Sequence, residues 1–60
     1  MNINSAINEG SKILRNKFIP NPQLDSEILM AKTINKDRIF IILNSNNLIN
    51  KKDLNYFYEL

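Results

Sequence analysis

Two prolines one residue apart, Pro20 and Pro22, constrain this chain more than any other feature. Each disfavours helical backbone at the residue before it, so no helix can run through Phe18-Ile19-Pro20-Asn21-Pro22. Helical patterns lie on both sides. From Ile3 to Lys17, the positions Ile3, Ala6, Ile7, Gly10, Ile13 and Leu14 recur at three-four spacing, with Phe18 one turn on. Ser5, Asn8, Glu9, Lys12, Arg15 and Asn16 take the other side. Gly10, the only glycine, falls on the apolar stripe and costs about 1 kcal/mol against alanine. Close approach of another backbone would account for it. After the break, Asn21 is expected to N-cap a second helix through its side chain. Pro22 suits the first helical position, where its missing donor costs nothing. Asp25 and Glu27 place negative charge toward the positive end of the helix dipole. Leu24, Ile28, Ala31 and Ile34 make one apolar face, and Leu29, off that arc, suggests cover on two sides. Phe18 and Ile19, large and apolar in a connection, are expected to plug the end of the core.

The rest of the chain extends the same pattern. Asn35-Lys36 ends the second helix, asparagine being the non-glycine residue that best tolerates a left-handed cap. Asp37 can cap the next segment. Arg38 to Leu43, R-I-F-I-I-L, has the β-branched content of a strand. A lone strand would find no partner in this chain, however, and an unpaired apolar strand is an aggregation site. A short helix, apolar all round and centrally buried, fits better. Asn44-Ser45-Asn46-Asn47 is a polar loop. Asn50 with Asp53 forms a capping-box-like pair, and Ile49 with Leu54 matches a hydrophobic staple. Leu54, Phe57 and Tyr58 then form an inner face. The expectation is an all-α fold, a small orthogonal bundle of about four short helices at roughly 3–17, 22–34, 37–43 and 50–60. The last helix reaches Leu60 without a C-cap, which is expected of a domain cut from a longer chain.

Composition narrows the function classes. Sixty residues make one domain at most, burying only about 60% of the surface the unfolded chain exposes. With no cysteine and no histidine, a self-contained zinc enzyme or a histidine-dependent triad or dyad is excluded. Lack of cysteine is compatible with a reducing cytoplasm. The net charge of +2 is a weak field, and the longest basic run is Lys51-Lys52, far short of a nucleic-acid tract. The longest apolar run, Ile39 to Leu43, is too short to span a membrane. The first ten residues lack the basic and apolar regions of a signal peptide. A cytoplasmic location is expected.

Sites for chemistry are scarce. Asp25 and Glu27 point about 200° apart on a helix, so they cannot share a substrate. Ser5, Ser11, Ser26 and Ser45 have no histidine base. Tyr56 and Tyr58 near Lys51 and Lys52 could stack bases and hold phosphates, although such residues more often edge a core. There is no G-x-G-x-x-G, P-loop or acidic metal cluster. A helix-turn-helix reader would need polar side chains on its second helix; the candidate, Arg38 to Leu43, offers only Arg38. Direct nucleic-acid binding is therefore not expected.

The stretch N-P-Q-L-D-S-E-I-L-M-A-K-T-I-N-K-D-R-I-F-I-I-L, residues 21 to 43, resembles the N-terminal domain of HemK-type release-factor glutamine methyltransferases. In that family a first helix ends in a short connection. A Pro-x-x-Asp-Ala-Glu-x-Leu-Leu segment follows, then a polar break, Arg and an apolar run. Pro22, Asp25, Glu27, Ile28, Leu29, Asp37, Arg38 and Leu43 fall in matching places, and Ser26 stands where the family has Ala. Leu54 and Phe57 match a further helix, so the likeness covers nearly all of the chain.

The resemblance implies a helical recognition domain, residues 1–60, preceding a Rossmann-like catalytic domain. The family transfers a methyl group from S-adenosylmethionine to the glutamine amide of the Gly-Gly-Gln loop in class I peptide-chain release factors. Its cofactor glycines and Asn-Pro-Pro-Tyr motif are absent here, and Asn21-Pro22 is followed by Gln23-Leu24, so it is not that motif. This chain alone should be inactive, with no catalytic, cofactor or metal residues. The implied partners are the release factor and the enzyme's own catalytic domain. Lys32, Lys36 and Arg38 are the candidate contacts, on the family-based assumption that release factors are largely acidic. The alternative is a free-standing helical interaction module that binds a partner helix on the inner face of its last helix.

Overall fold

In the computed structural model, which describes residues 1–59, the described residues form four helices: α1 (Ile3–Asn16), α2 (Pro22–Ile34), α3 (Arg38–Leu43) and α4 (Lys51–Glu59). No strand occurs among them, and residues 38–43 are helical, as expected of an all-α bundle. The expected extension of the last helix to residue 60 lies outside the described residues.

α1 begins with its orphan donors fully engaged. Asn2 Oδ1 accepts from the Ser5 N–H at 2.7 Å. The Ile3 and Asn4 N–H groups donate to Asn47 O and Ser45 O, each at 2.9 Å. The Ile49 N–H donates to Met1 O, and Asn2 pairs with Leu48 in an antiparallel bridge. The polar loop after α3 is thus a strap across the start of α1, satisfying donors that a free helix end would leave to water.

α1 ends at Lys17 in a Schellman arrangement. The Ile19 N–H donates to Leu14 O at 3.1 Å and the Phe18 N–H to Arg15 O at 3.0 Å. Phe18 is the left-handed residue, φ 63°, and its side chain is 93% exposed. The expectation that Phe18 plugs the core is therefore corrected. Backbone reversal at Phe18 satisfies the last carbonyls of α1 and takes the ring off the apolar stripe. Ile19 is half-buried.

Pro22 opens α2 and Asn35 closes it in left-handed conformation, φ 58°, ψ 47°. Asn21 does not cap through its side chain; only its carbonyl engages, accepting from the Asp25 N–H at 3.0 Å. Between two prolines its ψ is 69°, away from the extended backbone that aims a capping side chain at the helix. The buried stripe of α2 also differs from expectation. Ser26, Met30 and Thr33 are buried, Leu29, Ala31 and Ile34 pack beside them, and Leu24 and Ile28 are exposed. Small residues explain the rotation. Ser26 Oγ donates to Ile7 O at 2.7 Å, and a Cβ on Gly10 would lie 2.7 Å from both Ser26 Oγ and Phe57 Cζ. Gly10 serves packing as expected, but its neighbours are side chains, not another backbone.

The core comprises Ile3, Ala6, Ile7, Met30, Ile41 and Phe57. Asp37 Oδ1 caps α3 by accepting from the Phe40 N–H at 2.8 Å. Of α3 only Ile41 is buried, while Ile39, Ile42 and Leu43 face solvent. Central burial of this helix is therefore corrected: a six-residue helix lying on the bundle's surface turns little more than one side chain inward. At α4, Asn50 Oδ1 accepts from the Asp53 N–H at 2.7 Å, and Asn50 Nδ2 returns a bond to Asp53 Oδ2. Ile49 and Leu54 pack on the core and Phe57 enters it. Tyr58 stays half-exposed beside the Phe57 ring.

Candidate interaction surface

The three cationic candidates have different surroundings. Arg38 reaches from α3 to α2, donating from Nη2 at 2.8 Å and from Nε at 3.2 Å to Glu27 Oε1. Glu27 Oε2 also accepts from Gln23 Nε2 at 3.2 Å. Glu27 therefore acts as an ion-pair partner, where dipole complementation had been expected. Because both Arg38 donors converge on one oxygen, the pair lacks the two-pronged geometry that makes Arg–carboxylate contacts strongest.

Lys36 places its ammonium 5.3 Å from the centroid of the Phe40 ring, within cation–π range. It also edges a cavity of about 200 Å³ shared with Phe40, Asn47, Asn50 and Asp53. Lys32 is exposed on the last turn of α2 and makes no ion pair among the described residues. It lies five positions from Glu27, about 140° around the helix axis. Lys36 thus lies over Phe40 while Arg38, about 200° from Phe40 around α3, reaches Glu27, so the three cations have separate neighbours.

A second cavity, also about 200 Å³, opens between α1, α2 and α4. Gly10, Ile13, Leu14, Leu29 and Phe57 give it an apolar wall, and Lys17, Tyr58 and Glu59 stand at its edge. Ser26 lines it, but its hydroxyl is committed to Ile7 O. Ser11 Oγ is buried, has no hydrogen-bond partner among the described residues and lines neither cavity. Among the described residues no three His, Cys, Asp or Glu groups converge as metal ligands. Lys51 and Lys52 sit in the first turn of α4, whereas Tyr56 and Tyr58 lie in its second half. The Tyr58 hydroxyl donates to Met1 Sδ at 3.9 Å. No helix among the described residues is long and apolar enough to cross a membrane.

The surface has features that residue patterns did not anticipate. Phe18, Leu48 and Leu43 are 93%, 82% and 77% exposed, more so than any of the aliphatic residues on α2. For Phe18 a signal was present: it stands two residues before Pro20, where α1 has already ended and its stripe cannot continue.

The family model described as the PrmC N-terminal domain matches residues 5–60. No curated protein and no solved structure matches the chain.

Proposed function

This chain belongs to the PrmC N-terminal domain family, and on that premise we propose that it is the substrate-recognition domain of a protein-(glutamine-N5) methyltransferase. The enzyme's substrate is the Gly-Gly-Gln glutamine of class I peptide-chain release factors, and its methyl donor is S-adenosylmethionine. The observation that carries this reading is the family match over residues 5–60. The helical bundle, with its side chains committed to packing, capping and pairing, is consistent with a binding role.

Chemistry belongs, in this reading, to a separate Rossmann-like domain of the full protein, which also holds the cofactor. Residues of this chain do not fit S-adenosylmethionine. Its one glycine is packed beneath Phe57 and Ser26, so no glycine loop is open to approach a ligand. The domain contributes surface: it holds the release factor, in the cytoplasm where translation ends, while the catalytic domain acts. Lys32, Lys36 and Arg38 are separate cationic points on that surface. Arg38 is the weaker contributor, since Glu27 already balances its charge.

Calorimetric titration of a class I release factor onto the sixty-residue chain tests the proposal. Saturable one-to-one binding is expected, weakened by charge reversal at Lys32 and Lys36, with no heat from S-adenosylmethionine alone. Absence of release-factor binding at any attainable concentration would refute it.

A further inference from the structure

Phe18 carries two burdens that a purely structural residue would avoid. Its φ of 63° lies in the left-handed region, where a Cβ crowds the following carbonyl and a bulky side chain is an outlier. Glycine, or failing that asparagine, ordinarily takes this place at a helix end. The ring is also 93% exposed, so no burial offsets the strain. The helix end does not need the ring, because both Schellman hydrogen bonds use backbone atoms alone. The end of α2 makes the contrast: there the left-handed position, φ 58°, is held by Asn35. One chain thus solves the same backbone problem twice, once with a favourable residue and once with an unfavourable aromatic. Strain of this kind, held in place by its surroundings, points toward function.

The surroundings of Phe18 suit it to contact. Pro20 and Pro22 fix φ at two of the next four residues, and the Schellman bonds hold the Phe18 backbone, so little backbone freedom remains to be lost on binding. Asn21, in the same connection, spends no side-chain bond on capping. Arg15 and Lys17, three and one positions before Phe18 in the chain, are exposed and enter no ion pair among the described residues. An exposed aromatic on a constrained backbone, with cations close by in the chain, has the composition of an interface hot spot.

From this the geometry points to Phe18 as the anchor of a protein–protein contact, seating its ring in an apolar pocket of the partner whose rim bears carboxylates facing Arg15 and Lys17. A second copy of this chain does not fit, since a symmetric contact here would set Arg15 and Lys17 of each copy against each other. The inference deepens the recognition role and rests on it for the partner, a class I release factor.

The test titrates purified release factor onto the wild-type chain, Phe18→Gly, Phe18→Asn, Phe18→Tyr and the double reversal Arg15→Glu with Lys17→Glu. Each variant is also melted. Phe18→Gly and Phe18→Asn are expected to weaken binding tenfold or more while melting no lower than wild type, because the strain is relieved. Phe18→Tyr should bind within about threefold of wild type, a larger loss being expected only when the ring itself is removed. The double reversal should weaken binding most at low salt. Wild type that binds while Phe18→Gly and Phe18→Asn bind within twofold of it overturns the role of Phe18 and leaves the recognition role standing. Wild type that does not bind overturns the recognition role and this contact with it. Melting of Phe18→Gly and Phe18→Asn well below wild type overturns the strain argument.

Discussion

Gly10→Ala should destabilise this domain, although in most helices the same change would stabilise it. A helical glycine costs about 1 kcal/mol against alanine, so on propensity alone the variant would gain that amount. The structure reverses the sign. The new Cβ would sit 2.7 Å from Phe57 Cζ and 2.7 Å from Ser26 Oγ, with Phe57 Cε2 at 3.1 Å. Ordinary contact begins near 3.4 Å, so both neighbours must retreat by about 0.7 Å. Neither is free to do so. The Phe57 ring is 2% exposed, and Ser26 Oγ is held at 2.7 Å to Ile7 O. Overpacking of this kind typically costs about 1–3 kcal/mol, and weakening the Ser26 bond adds up to about 1 kcal/mol. Set against the propensity gain, these costs leave a net loss of about 0–3 kcal/mol, centred between roughly 1 and 2. In a domain this small, thermal melting by circular dichroism should fall by roughly 5–15 °C. A double-mutant cycle with Phe57→Leu sharpens the test, because removing the ring should relieve the Phe57 share of the penalty and leave the Ser26 share. A Gly10→Ala variant that melts at or above wild type would refute the close α1–α2–α4 packing on which this reasoning depends.

Other substitutions probe separate features of the fold. Asn2→Ala should cost about 1 kcal/mol by removing the cap on Ser5 N–H, whereas Asn21→Ala should cost little because its side chain caps nothing; urea titration of both compares them directly. Ser11→Ala should be neutral or slightly stabilising, since its buried hydroxyl has no partner, and a clear fall in melting temperature would contradict that placement. Arg38→Met should cost no more than about 1 kcal/mol, a loss that shrinks in high salt, as expected for a half-exposed pair with Glu27.

Element boundaries were legible because they are set locally. Pro22 at the start of α2, Asn35 at its end, Asp37 capping α3 and Asn50 with Asp53 capping α4 each depend on side-chain chemistry within a few residues. Which face of each helix is buried was less legible. The contact between α1 and α2 runs through Gly10 and Ser26, and hydrophobic periodicity cannot see a stripe of small polar residues. Thr33 shows how such a stripe becomes compatible with burial, since its hydroxyl is satisfied by Leu29 O of the preceding turn. Leu24 and Ile28 scored as core by spacing, yet α1 occupies the other side of α2. Phe18 was placed in the core by residue type, and only its backbone conformation shows why it leaves. The strap of residues 44–49 over the start of α1 was invisible because it joins groups some forty residues apart in the chain. Of the candidate contacts, Arg38 could be named from sequence, but its pairing with Glu27 depends on how α3 crosses α2.

The most direct measurement of the central claim is a chemical-shift map of the ¹⁵N-labelled chain titrated with a class I release factor. The account predicts saturable shifts confined to exposed residues, strongest from Arg15 to Asn21, with amides of the buried Ala6, Met30 and Phe57 unmoved. Spectra that stay unchanged at every ratio, or shifts spread through the core as the bundle unfolds, would contradict recognition by a preformed helical surface.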